Sequence, residues 1–361
     1  MQPSVLDDKI AASAIDRGNM LRVLEETPEA YEQAYSAALD SDTLPRTAAR
    51  SPSNLTLVGI GGSAIAADIV KDWLFESPTS IEVIRGSRLP GSVTAGTYVL
   101  ITSYSGHTAE PLKALNEARR RKSRVSCIAS EGELLQVCRE NRLPHVPVRT
   151  GLQPREALPD LLCASLATLE KWKICGHKSV RAELSTVVKQ LGEVRDAIRF
   201  ARPKSENSAK QLALQLQGTI PFIYASQFLA SAGRRFKNQL NENSKVLAKF
   251  EVLPEMLHNE VQGWHMLEEK EFADLTSFVF LRGCETEDGA EQFDRLTSLI
   301  RQEGGRAYEI FLNSRTRLSS ILATIYYCDY VSFYLATARG VDPTPIDTIR
   351  LLKESIGSPT A

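Results

Sequence analysis

Two short segments of this chain gather residues suited to holding a phosphate. The first is Gly59-Ile60-Gly61-Gly62-Ser63. Glycine lets backbone approach a ligand closely, and a helix beginning behind it offers free N–H groups and the positive end of its dipole. The second is Ser103-Tyr104-Ser105-Gly106-His107-Thr108, just before Glu110. Capping a helix takes only one Ser or Thr. Three side-chain hydroxyls beside a glycine at the end of a strand suit a phosphate cradle better. Neither segment is a P-loop or a Gly-x-Gly-x-x-Gly fingerprint, because Ala64 occupies the last position of the latter. No lysine or arginine lies in either loop, so dipoles and hydroxyls would hold the phosphate. That arrangement suits a phosphate used as a handle rather than one being transferred. Each segment also has a plain structural reading, as a tight strand-to-helix turn and as a helix cap.

Such loops need strand ends to carry them. Leu55–Gly59 is a continuous apolar run of the kind a buried parallel strand uses. Helical spacing follows from Ala64. Ile81–Arg85 and Thr97–Ser103 read as the next strands, then a helix over Glu110–Lys122, a strand over Arg124–Ser130 and a helix over Glu131–Asn141. Strands alternating with helices predict an open, mostly parallel α/β sheet. Residues 16–40 read as a polar, mostly helical lead-in, and residues 155–217 as a helical bridge. A second alternation begins at Ile220–Ser226. It continues through a helix over Ala232–Glu242, strands over Lys245–Val252, Ser277–Arg282 and Arg306–Phe311, and helices near 288–303 and 318–338. The chain is therefore coarsely duplicated, and the second half lacks the Gly-Gly-Ser turn.

Composition limits the partners. The chain has 361 residues, which at roughly 150 residues per domain suggests two or three domains. Lys+Arg number 43 against 44 Asp+Glu, so no net charge draws the chain to nucleic acid or an anionic membrane. The cysteines Cys127, Cys138, Cys163, Cys175, Cys284 and Cys328 form no C-x-x-C pair and read as buried reduced thiols. Residues 1–15 carry no basic segment ahead of an apolar block, so no signal peptide is expected. The stretch Ile321–Ala338 is interrupted by Asp329 and four tyrosines and reads as a buried helix, not a membrane span. A cytoplasmic protein is expected. His258 and His265 stand seven apart with no carboxylate–histidine set at ligand spacing, so neither metal nor other cofactor is implied.

The two loops resemble the sugar-isomerase (SIS) domain family. The whole chain from about residue 50 to 356 resembles, more narrowly, the bifunctional phosphoglucose/phosphomannose isomerases, which carry two such domains in tandem. The segments that support the narrower resemblance are Gln153-Pro154-Arg155-Glu156-Ala157-Leu158-Pro159, the run Arg234–Lys245, Pro254-Glu255-Met256-Leu257-His258-Asn259-Glu260, and Asp342-Pro343-x-Pro345-Ile346 with Leu352-Lys353. Departures are Ala64, where glycine is frequent, and His107 in place of asparagine. Neither removes a hydroxyl.

The resemblance implies aldose–ketose isomerisation of glucose 6-phosphate, and of mannose 6-phosphate, with fructose 6-phosphate, through a cis-enediolate. It implies a phosphate site of Gly61, Gly62, Ser63, Ser103, Ser105 and Thr108. Glu242 matches the base, His258 and Lys353 the ring-opening residues, and Arg155 the cation near the reacting carbons. It implies two three-layer α/β/α sandwiches, divided as a helical lead-in (1–50), a first SIS domain (51–154), a helical bridge (155–217), a second SIS-like domain (218–340) and a C-terminal helix (341–361). It also implies a homodimer with shared sites, His258 reaching the partner's. Without the resemblance, Glu242 and Lys353 would be surface residues, Arg155 a first-turn residue and His258 a cap or core histidine. The rival reading is an SIS protein that binds a sugar phosphate, as a regulator, without isomerising it. Such regulators usually add a DNA-reading module, and residues 1–50 are too acidic and too poor in Arg and Lys for one. An amino-sugar synthase would need an N-terminal cysteine, but residue 2 is Gln and the first cysteine is Cys127. An assembly protein on this fold would leave the hydroxyl-rich loops unexplained.

Overall fold

In the computed structural model, which describes residues 5–357 except 284, 286 and 313, the chain enters through α1 (Lys9–Ile15) and α2 (Met20–Leu39). Asp8 caps α1 by accepting the N–H groups of Ile10 and Ala11. Asp16 does the same for α2, accepting from Met20 at 2.8 Å and Leu21 at 2.9 Å. The lead-in is thus two helices, and α2 buries an apolar stripe that includes Leu24, Tyr31 and Tyr35.

The first sheet follows: β1 (Asn54–Val58), α3 (Gly62–Trp73), β2 (Ser80–Ile84), β3 (Tyr98–Thr102), α4 (Ala109–Arg120), β4 (Arg124–Ala129), α5 (Gly132–Glu140) and β5 (His145–Pro147). Its order is β2-β1-β3-β4-β5, all parallel. Every residue of β3 is buried, as a central strand covered on both faces requires. β1 and β3 are neighbours, Val58 lying opposite Ile101, so the turns that leave them sit side by side. The short edge strand β5 has no counterpart among the strands expected from sequence. Its three residues offer no periodicity.

Three helices come next: α6 (Leu158–Lys171), α7 (Val180–Ile198) and α8 (Ser208–Leu216). The second sheet comprises β6 (Ile220–Ala225), α9 (Ala230–Glu242), β7 (Lys249–Val252), α10 (Lys270–Leu275), β8 (Thr276–Arg282), α11 (Glu287–Gln302) and β9 (Ala307–Phe311), in parallel order β7-β6-β8-β9. β7 starts at Lys249 rather than Lys245. Lys245 takes a left-handed φ of 56° and the Ser244 hydroxyl donates to Ser332 C=O, so the chain turns before it extends. Between β7 and β8, two 3-10 turns (Glu255–His258 and Glu260–Glu268) bury Met256, Trp264 and Leu267 against Tyr224, Phe278 and Phe280. Sequence patterning assigns no element to this stretch.

α12 (Arg317–Ala338) runs through the middle, and α13 (Asp347–Gly357) closes the chain. A Thr316–Ser319 capping box starts α12, and every residue from Leu318 to Thr337 is buried against α2, α3, α7, α8 and α9. Each fully buried Leu, Ile or Phe there contributes about 1.5–3 kcal/mol. This is the buried helix expected over Ile321–Ala338. Among the described residues no helix is long and apolar enough to cross a membrane. The five described cysteines are free and buried; Cys284 lies outside the described residues.

Candidate active site

The β1–α3 turn depends on glycine twice. Gly61 begins the helix with φ 57° and ψ −129°, a conformation costly for side chains. A Cβ on Gly62 would stand 2.9 Å from the Pro154 carbonyl carbon and 3.0 Å from Arg155 N. The absent side chain therefore lets the Pro154–Arg155 turn lie directly on the glycine loop. Ser63, in the first turn of α3, accepts the N–H of Tyr104 at 3.0 Å through its Oγ. That bond joins the two hydroxyl-rich segments.

Tyr104 also ties in the neighbouring strand ends. Its C=O accepts from Ser130 Oγ at 2.7 Å, and its OH accepts from Leu152 N at 2.9 Å. The hydroxyls of the second loop are largely uncommitted. Ser103 Oγ is buried without a hydrogen-bond partner. Thr108 stands at the N-cap of α4, yet its side chain makes no capping bond. Ser105 is exposed and accepts from His107 N at 3.4 Å. His107 is exposed beside Gln136 and Arg139 of α5, in a groove away from Arg155 and Glu242. The hydroxyls of Ser103, Ser105 and Thr108 thus lie before the start of α4, next to the start of α3, and a helix start is a place whose free N–H groups favour an anion.

Arg155 follows directly. Its side chain is 3% exposed. Nε donates to Asn243 Oδ1 at 2.8 Å, and Nη2 donates to the carbonyls of Pro343 at 2.9 Å and Thr344 at 2.8 Å. Nη1 has no hydrogen-bond partner and faces Glu242 Oε2 at 3.5 Å. Burial lowers the pKa of Arg155, and the charge of Glu242 works against that shift. Glu242 is the last residue of α9, with 24% of its side chain exposed. It is thus an open carboxylate beside a buried cation that has one donor to spare.

A polar lattice holds this pair. Arg235 Nη2 donates to Asp329 Oδ2 at 2.8 Å and to Arg155 C=O at 2.8 Å, and Gln239 donates to Asp329 Oδ1 at 3.1 Å. Asn243 Nδ2 reaches Ser332 Oγ at 3.0 Å. Buried charges paired and hydrogen-bonded in this way fix one geometry. The segment carrying Pro343 and Thr344 is braced from outside by the α1–α2 turn, where a Cβ on Gly18 would lie 2.0 Å from Thr344 Oγ1.

The sequence candidates therefore divide. Gly61, Gly62, Ser63, Ser103, Ser105 and Thr108 lie on two adjoining loops, and Arg155 and Glu242 meet. His258, at the end of the first 3-10 turn after β7, is exposed and makes no polar contact with Arg155, Glu242 or the phosphate loops among the described residues. Lys353 falls within α13, and its side chain lies outside the described residues. Lys245 is not among the sequence candidates, yet its Nζ donates to Glu242 C=O at 2.6 Å and Pro343 C=O at 3.2 Å. Its position three residues after Glu242, just past the Asn-Glu-Asn run, is the signal the sequence offers for it.

Comparison with known proteins finds relatives over nearly the whole chain. Residues 205–356 match the bacterial phospho-glucose isomerase C-terminal SIS domain. The bifunctional phosphoglucose/phosphomannose isomerase of Caldicellulosiruptor bescii is 30% identical, covering 93% of this chain and 98% of that protein. The enzyme of the same name from Aquifex aeolicus is 32% identical, covering 84% and 90%. A glucose-6-phosphate isomerase like protein from Thermus thermophilus superposes with TM-score 0.63 at 18% identity, covering 98% of this chain and 99% of that one, which shows a shared fold.

Proposed function

The chain belongs to the bifunctional phosphoglucose/phosphomannose isomerase family, and on that premise we propose how its residues carry out an aldose–ketose isomerisation. The protein is an isomerase acting on glucose 6-phosphate and mannose 6-phosphate, with fructose 6-phosphate as the common ketose. The observation that carries the assignment of residues is the Arg155 Nη1 donor, buried without a hydrogen-bond partner and ion-paired at 3.5 Å with the Glu242 carboxylate, on a turn pressed against Gly62.

In this reading the hydroxyls of Ser63, Ser103, Ser105 and Thr108, with the backbone of Gly61 and Gly62, hold the substrate phosphate. Held by that handle, the sugar extends towards Glu242. Glu242 removes the proton from C2 of the open-chain aldose and returns it to C1, and the same group serves both directions. Arg155 Nη1 faces the oxygens on which negative charge develops in the enediolate. Rotation about C2–C3 presents either face of C2 to one carboxylate, so glucose and mannose forms need no second base. Ring opening falls to Lys353 and to a His258 supplied by the partner of a homodimer. The division into a lead-in, two SIS domains, a helical bridge and a C-terminal helix belongs to the same proposal.

The test is a coupled assay with glucose 6-phosphate and mannose 6-phosphate, with and without chelator. Both activities are expected, unaffected by chelator. Glu242→Gln should lose both by about 10³-fold or more while still binding sugar phosphate, because it keeps the shape and loses the proton acceptor. A mutant that retains mannose 6-phosphate turnover alone would require a second base. Binding of sugar phosphate by the unaltered protein with no turnover would favour the regulatory alternative.

A further inference from the structure

Lys245 is the third cation at this site, and nothing in the reaction as described uses it. Its backbone has φ 56°, the left-handed region that is costly for a residue bearing a β-carbon. Glycine would occupy that position without cost. Such conformations persist where the surroundings demand them and cluster at functional sites. What the lysine gains there is its side chain. Although Lys245 is exposed as a residue, Nζ turns in to two carbonyl oxygens, Glu242 at 2.6 Å and Pro343 at 3.2 Å. The first belongs to the set of carbonyls that a helix leaves unsatisfied at its C-terminal end, here that of α9. The second is the carbonyl that also accepts from Arg155 Nη2 at 2.9 Å. Two cations therefore converge on one oxygen, and a single ammonium joins the residue bearing the base to the strap that holds the arginine.

We infer that Lys245 is a positioning residue of the isomerase site: it fastens the C-terminal strap at Pro343 to the end of α9, so that the Glu242 carboxylate and Arg155 Nη1 stay in register during proton transfer. The inference rests on the reading of Glu242 and Arg155 given above. Lys245 touches neither the reacting carbons nor the phosphate loops. Its loss loosens the alignment of base and cation and leaves the phosphate handle in place.

The experiment compares Lys245→Met, Lys245→Gly and Lys245→Arg in the full chain. The Met and Gly variants should lower kcat on glucose 6-phosphate by about 10–100-fold, with KM within about threefold of the unaltered protein, the pattern of a misaligned catalytic pair rather than lost binding. Lys245→Gly relieves the backbone conformation and so should fold at least as well, which separates activity from stability. Lys245→Arg, which keeps the charge and the donors, recovers part of the loss. Amide hydrogen exchange at Thr344, whose N–H donates to Asp342 Oδ1 at 3.0 Å, should quicken in the Met and Gly variants and not in the Arg variant. A kcat unchanged in both Met and Gly variants, a loss confined to KM, or unaltered exchange at Thr344 would each overturn the inference. An active Glu242→Gln enzyme would instead overturn the assignment of the base, and the exchange measurement judges the Lys245 strap independently of that outcome.

Discussion

At the scale of single residues the site turns on what Arg155 does with its nitrogens. Two of them are consumed by structure, through Asn243, Pro343 and Thr344, and Nη1 is left for the reacting side. A planar fork with fixed donors performs both tasks at once; a lysine ammonium is one point charge and cannot. Arg155→Lys is therefore expected to lower kcat by about 10²–10³-fold with little change in KM, since the phosphate loops are untouched. Steady-state kinetics on both sugar phosphates checks this. A kcat near that of the unaltered protein would show that a point charge suffices. The uncommitted hydroxyls of Ser103 and Thr108 make the complementary case. Their number exceeds what capping needs, and they make no capping bond.

At the scale of elements, the two sheets communicate through helix ends. The end of α3 meets the start of α9 where Asp72 Oδ2 accepts the N–H of Ser231 at 2.7 Å. Burial pushes the Asp72 carboxyl up to about 7, with the nearby Asp68 adding to the shift. Asp68 is itself paired with Arg85, and with Arg234 at 3.6 Å. A carboxyl whose folded-state pKa lies above its unfolded value binds protons more tightly when folded. Its stabilising contribution is complete below the unfolded value of 3.8 and is lost as pH rises to about 7. Asp72→Asn keeps an acceptor for Ser231 and removes the buried charge. Its melting temperature should exceed that of the unaltered protein by several degrees at pH 8, and the gap should close as pH falls from about 7 towards 4. Melting curves across that range test the sign. A gap that widens towards low pH would contradict it.

At the scale of the whole molecule, one chain leaves the proposed machinery incomplete. His258 sits exposed after β7 and touches neither Arg155 nor Glu242 among the described residues. If a partner subunit supplies it, two dead chains should rescue each other. Mixing Glu242→Gln with His258→Ala under conditions of demonstrated subunit exchange should restore about a quarter of normal turnover per mixed population, because half the chains pair with the other kind and one site in each such dimer is whole. No recovery would mean that each site is built from a single chain.

Sequence alone was enough for whatever local pattern controls. The apolar runs at β1 and β3, the glycines that turn the chain from β1 into α3, the excess of hydroxyls after β3 and the buried character of α12 are all set by residues a few positions apart. The motifs around Arg155 and Glu242 marked both residues as candidates for one site. Tertiary structure decided what no local pattern can contain. Arg155 and Pro343 are 188 residues apart, Asn243 and Arg155 are 88 apart, and their meeting depends on how the second sheet docks α9 and α12 against the first. The αL conformation of Lys245 shortened the expected strand and brought its Nζ to the carbonyls of Glu242 and Pro343. Gly18 carries no signal of its own, yet it presses on Thr344 from the opposite end of the chain. Such contacts are chosen by the packing of whole layers, and a sequence displays them only after the fold has brought their ends together.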